Sequence, residues 1–148
     1  MNKVVYNSCY GGFGLSAKAI AHIVHQNNPN IKLYFYKRFY DDNLKERYSK
    51  STVDEAYLVS LKDFGDCFSF EDYNNVELQD NLIYDEQVIT SRHDPRLIKA
   101  VEELKEEADG RYSELKIAEI DSDRYYIDEY DGMETVVTPD AIDWIKIE

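Results

Sequence analysis

The chain has 148 residues, near the commonest size of a single domain and long enough to bury a core without disulfide or metal staples. Charged residues make up 32% and the formal net charge is −13, which argues against direct nucleic-acid binding because phosphate backbones would be repelled by most of this surface. No apolar run approaches the roughly 20 residues of a membrane span and MNKVVYNSCY lacks the apolar stretch of a signal peptide, so no membrane partner and a cytoplasmic location are expected.

KVVY (3–6) is a short β-rich run ending at Asn7 and reads as a first strand. The glycine-rich turn CYGGFGLS (9–16) follows, and Ser16 is placed to cap a helix with Ile20, Ile23 and Val24 on one face. The breakers of NNPN (27–30) end it, and IKLYFYKRF (31–39) alternates well enough for a second strand. Strand, turn, helix and strand suggest a βαβ-like opening, with the pairing of its strands left open.

From Asp41 to about Thr90 the periodicity weakens. A short helix is expected between Asp41 and Gly65, and DCFSFEDY and NLIYDEQVIT read as strand pieces, so residues 41–90 form an elaboration of one domain. Clear boundaries return at 91–110, where Asp94 suits an N-cap, Pro95 the first helical position, and Gly110 the far end. Leu97, Ile98, Val101 and Leu104 line one face between them. SELKIAEI (113–120) is a strand, and RYYIDEY turned by Asp131-Gly132 into METVV is a hairpin. AIDWIKIE (141–148) closes the chain as a strand or a short helix carrying Trp144. The expected fold class is therefore α+β: one small domain with a second long helix and a C-terminal antiparallel hairpin.

Charge is divided along the chain. Residues 1–40 hold five basic side chains and no Asp or Glu, whereas the other 108 hold all 30 acids against 12 bases, a balance of −18. One explanation is an anionic ligand near the glycine turn, which nearby carboxylates would oppose. The other is that the basic segment docks on the acidic one.

A glycine turn leading into a helix presents backbone N–H groups and the positive end of the helix dipole, both suited to phosphate or carboxylate. The spacing here, G-G-x-G, is neither the dinucleotide pattern nor the P-loop. The candidate ligand-binding set is Tyr10, Gly11, Gly12, Phe13, Gly14 and Ser16, with Arg92 as outside help and Tyr10 and Phe13 able to stack on a ring. The structural alternative makes this a tight turn with core plugs. Arg96 is expected to pair with an acid, and Arg111 could join Arg92 on an anion.

Cys9 is a candidate nucleophile only if His22, His25 or His93 approaches it, and a buried inert thiol is the favoured reading. His22 and His25 lie three apart but lack a third ligand at useful spacing, so no metal is expected. No nucleophile, base and orienting group can be assembled from these spacings, and neither an enzyme nor a cofactor is the leading expectation. The 13 tyrosines suit either sheet surfaces or a recognition surface.

CYGGFGLS (9–16), RHDP (92–95), VEEL (101–104), LKI (115–117) and EYDG (129–132) occur in the order found in a family of small uncharacterised proteins of bacteriophages and large DNA viruses, which the chain resembles over roughly its first 30 and last 60 residues. The family pattern has glycine after VEEL, where this chain has Lys105, and residues 41–90 have no counterpart in it. The resemblance implies a viral accessory protein acting in the host cytoplasm. The leading expectation is a non-enzymatic binder of a small anionic, nucleotide-like ligand at the glycine-rich loop, one that counters host antiviral signalling; the alternative is an acidic module that blocks a basic surface of a host protein. Self-association is left open.

Overall fold

In the computed structural model, which describes residues 1–141 and 145–147, the first strand and its partner lie far apart in sequence. β1 (Asn2–Asn7) pairs antiparallel with β7 (Leu115–Ile120), Val5 opposite Ile117. The Val4–Val5 pair is fully buried, and one side of the ribbon is covered by two helices, α1 (Ala17–Asn27) and α4 (Pro95–Leu104). Ile20, Ile23, Leu97, Val101 and Leu115 close this first core at helical and strand spacings.

β2 (Tyr34–Tyr40) does not join β1. It lies in a second, five-stranded antiparallel sheet ordered β5 (Cys67–Phe68), β3 (Glu46–Lys50), β2, β4 (Leu58–Ser60), β6 (Leu82–Ile83). The βαβ-like opening is thus corrected: the strands flanking α1 belong to different sheets, and no parallel pair occurs among the described residues. The helix expected between Asp41 and Gly65 is corrected too. ERYSK and LVS are strands and only Val53–Glu55 forms a single 3₁₀ turn. Local Lys/Glu content favoured helix, but β2 offers a long apolar template on both edges and tertiary pairing outweighs so weak a propensity. The two expected strand pieces shrink to two residues each, Phe68 leading to a 3₁₀ turn and Ile83 to α3 (Asp85–Val88). Between them lies α2 (Asn75–Asn81), capped by the Asn74 side chain.

The elaboration carries its own aromatic core. Tyr36 is fully buried with Phe68 edge-on at 4.9 Å, and Tyr48, Phe64, Leu78 and Leu82 surround them. The Tyr36 hydroxyl donates to Gly65 O (3.1 Å) and accepts from Phe64 N (2.8 Å), which lets a phenol sit in the core without an orphaned polar atom. β4 links the two cores, with Val59 in the first and Leu58 in the second, as strand alternation requires.

The C-terminal hairpin forms as expected. β8 (Tyr126–Tyr130) and β9 (Met133–Val137) are joined by Asp131 (φ 51°) and Gly132 (φ 88°), both in the left-handed region that a two-residue hairpin turn demands. Of the element expected over 141–148, Ala141 ends a 3₁₀ turn and residues 145–147 are exposed and in neither helix nor strand, while the rest, with Trp144, lies outside the described residues. No helix among the described residues is long and apolar enough to cross a membrane.

Candidate functional site

The glycine turn is a junction of three chain segments. A Cβ on Gly11 would sit 1.7 Å from the Tyr112 carbonyl oxygen, and one on Gly132 would sit 2.3 Å from Tyr10 O and 2.7 Å from Gly12 N. A Cβ on Gly110 would meet Gly14 backbone atoms from 2.8 Å. Gly14 O accepts from Gly110 N (3.1 Å) and from Ser113 Oγ (2.7 Å), so the turn is stitched to residues 110–113. Glycine is required at positions 11, 110 and 132 for backbone-on-backbone approach, whereas Gly12 (φ 90°) combines a positive φ with open space and Gly14 meets only ordinary contacts.

The remaining members of the candidate set are already engaged. The Ser16 hydroxyl accepts from Ala19 N (3.0 Å) as the α1 cap and donates to Glu107 O (2.6 Å), while Ser16 N donates to Ala108 O (3.0 Å). Leu15 N donates to Asp85 Oδ2 (3.1 Å), bringing a carboxylate to the acid-free segment. Phe13 is half-buried beneath the Arg92 guanidinium, 3.6 Å from the ring centroid. Arg92 itself is bound at both nitrogens by Glu134, at 2.5 and 2.8 Å, and Glu134 also accepts from Asn7 N (2.8 Å). Tyr10 is the exposed exception, at 61%.

Arg96 pairs with Asp94 (2.8 Å), as expected, and the guanidinium holds the Asp94 carboxyl well below the usual range. Arg111 stands over the Tyr57 ring (5.7 Å) and lines a different cavity from Arg92. Cys9 is half-buried, its thiol donating to Asn7 Oδ1 (3.4 Å) and Tyr112 O (3.2 Å), and both Cys9 and Cys67 are free. The three histidines face elsewhere. His22 Nε2 lies 2.6 Å from Glu103, His25 Nε2 2.9 Å from Ile31 O, and His93 Nδ1 2.6 Å from the Tyr125 hydroxyl. No cysteine–histidine pair is assembled by these contacts.

A cleft of about 670 Å³ opens beside the start of α1, between residues 53–59 and 106–111. Its walls hold Tyr57, Tyr84, two cations (Lys18 and Arg111) and six carboxylates, those of residues 54, 55, 85, 106, 107 and 109. Burial pushes the Asp85 carboxyl up, against the lowering pull of the Leu15 amide, and burial likewise raises Asp109, against the Leu115 amide. Lys18 is raised, chiefly by its hydrogen bond to Glu107. Arg111 apart, these residues were missed in the sequence because they come from four separated segments with no motif among them. Compared with protein-family models, curated proteins and solved structures, the chain matches none.

Proposed function

We propose that the protein is an acidic interaction module that engages a basic surface of another protein, and, following the resemblance noted above, that this is a viral accessory protein meeting a host protein in the cytoplasm. The observation that carries the reading is how the charge is arranged. Four of the five cations of the acid-free opening, all but Lys32, are folded onto later carboxylates: Lys3 on Glu102 (3.0 Å), Lys18 on Glu107 (3.1 Å) and Asp54 (3.5 Å), Lys37 on Glu55 (3.8 Å), Arg38 on Glu46 (3.4 Å). Such exposed pairs add little stability, but they cancel the one basic stretch and leave a surface whose excess is negative. A field of that sign speeds encounter with a basic partner and repels nucleic acid.

A second reading, a small nucleotide-like anion, has one observation in its favour. The cleft beside Ser16 brings Lys18 and Arg111 together with two tyrosine rings. It stands second because six carboxylates share those walls, because Gly11 is packed against the Tyr112 backbone and the Gly14 carbonyl is bonded to residues 110 and 113, and because Arg92 is committed to Glu134.

Affinity capture from bacterial lysate across a salt series tests the first reading. A variant with the exposed acids Asp121, Asp128, Glu129 and Asp131, none of them ion-paired among the described residues, changed to the matching amides should lose its salt-sensitive partners, while one with the lysine-paired Asp54, Glu55, Glu102 and Glu107 changed likewise keeps most of them. Retention of all partners by the first variant would refute it. Thermal stabilisation by any of a panel of nucleotides and cyclic dinucleotides would favour the second reading.

A further inference from the structure

The β8–β9 hairpin leaves one face uncovered. Directly opposed residues in an antiparallel pair point to the same side, so Tyr126 with Val137, Asp128 with Thr135 and Tyr130 with Met133 form one face, and Glu129 with Glu134 and Ile127 with Val136 form the other. The second face is turned inward, because Glu134 is buried on Arg92 and Asn7 N. The first face points outward: Tyr126 is 55% and Tyr130 78% exposed, and Asp128 between them is exposed. At the turn, Gly132 abuts the backbone of Tyr10, itself 61% exposed.

Period-two spacing puts each tyrosine roughly 7 Å along the strand from Asp128. A guanidinium bound by the Asp128 carboxylate would therefore sit within the about 6 Å reach at which a cation is held over a phenol ring, from either side. The surrounding charge has the matching sign. YIDEYD (126–131) carries three carboxylates and no cation, and neighbouring Arg124 sits 3.6 Å from Asp123. A second copy of the same face is excluded as occupant by that charge, since self-pairing would bring like carboxylates together.

We infer that the outer face of this hairpin, Tyr126–Asp128–Tyr130, is a docking face for an arginine-bearing segment of a protein partner. The inference rests on the interaction-module reading and adds to it the place and the side chain recognised. Tyrosine supplies contact area at low entropy cost, Asp128 supplies the ion pair, and the planar guanidinium can satisfy both at once where a lysine ammonium cannot. The Arg92–Glu134 pair and the glycine junction beneath hold the face in place before the partner arrives.

The test uses the full chain with two probes of equal length, an oligo-arginine and an oligo-lysine peptide, by fluorescence anisotropy at low and physiological salt. The intact protein should prefer oligo-arginine by about tenfold, the sum of two exposed ring contacts. Y126A/Y130A should abolish the preference, Y126F/Y130F should keep it because the ring faces survive, and D128N should weaken both peptides. Oligo-arginine should also shift the ring resonances of Tyr126 and Tyr130 in spectra of the unaltered protein, which removes any dependence on how the variants fold. If both peptides bind equally, or the alanine variant keeps the preference, this face is not the reader although the module reading stands. If neither peptide binds at low salt, the module reading falls as well.

Discussion

Alanine substitution of the three turn glycines separates a packing junction from a ligand cradle by sign as well as size. Gly11→Ala places a methyl 1.7 Å from the Tyr112 carbonyl, where a tolerable contact needs more than 3.0 Å, so one backbone must move by well over an ångström. Tyr112 O also accepts from the Cys9 thiol, and residues 110 and 113 are bonded to Gly14, so the movement disrupts the whole junction. Overpacking against side chains costs ~1–3 kcal/mol, and a backbone obstacle should put Gly11→Ala at or above ~3 kcal/mol. Gly12 has open space but a φ of 90°, so its alanine variant should lose ~1–2 kcal/mol of conformational energy alone. Gly14 has no positive φ, and its nearest neighbours, Asp85 Oδ2 at 3.8 Å and Gly110 Cα at 4.0 Å, are at ordinary contact, so Gly14→Ala should be neutral or gain up to ~1 kcal/mol from a less flexible unfolded chain. Urea titration with a common m-value reads all three, and in thermal melts each kcal/mol should appear as about 2–4 °C. Three variants of equal stability, or a Gly11→Ala protein as stable as the parent, would refute the junction and return the turn to consideration as an open cradle.

The Arg92–Glu134 pair is bidentate and Glu134 is nearly buried, so Glu134→Gln, which strands the guanidinium, should cost ~2–4 kcal/mol by calorimetry, whereas the joint Arg92→Met, Glu134→Gln change, which removes the stranded charge and keeps an acceptor for Asn7 N, should cost less than the single change. Asp94 caps α4 through Arg96 N and is held low chiefly by the Arg96 guanidinium; a depressed carboxyl contributes stability at neutral pH that drains away as pH falls below about 4 toward its folded value. Asp94→Asn should therefore flatten the acid limb of a stability–pH profile below about pH 4, and an unchanged limb would show that other carboxylates set it. Lys105 ends α4 with φ 55° and ψ −124°, a conformation that suits glycine, and Lys105→Gly should raise stability by about 1 kcal/mol in the same melts.

The elements with local boundary chemistry were legible in the sequence. Asp94 and Pro95 announce α4, Ser16 announces α1, and Asp131-Gly132 announces a hairpin whose turn needs two positive φ values. The partner of β1 was not legible, because it lies more than a hundred residues away and strand pairing leaves no signature at that range. The middle region failed for a related reason: β3 and β4 are strands because β2 lies between them, a fact carried by neither segment alone. Glu134 did leave a trace. Once the Asp-Gly turn fixes the register, residues 134 and 136 share the face that packs inward, and a carboxylate at such a position calls for a cation partner, which Arg92 supplies.

The glycine turn was ambiguous for a reason that can be stated in terms of backbone geometry. An anion cradle and a backbone crossing both need residues without a Cβ, so the same string GGFG serves either. What separates them is where the other glycines lie. Of six glycines in the chain, Gly11, Gly12, Gly14, Gly110 and Gly132 meet at this one junction, drawn from three segments spread over more than a hundred residues. A cradle concentrates its glycines on one side of a space and leaves the ligand to fill the other. Here the space that the missing Cβ leaves at Gly11, Gly110 and Gly132 is filled by the backbone of Tyr112, Gly14 and Tyr10 with Gly12, and only Gly12 itself opens on free space. Tyr10 and Tyr112, whose backbones meet Gly132 and Gly11 at this joint, keep their side chains 61% and 69% exposed, and Tyr130, two residues before Gly132, is 78% exposed. The segment richest in glycine thus works as the rigid underside of a tyrosine-bearing surface.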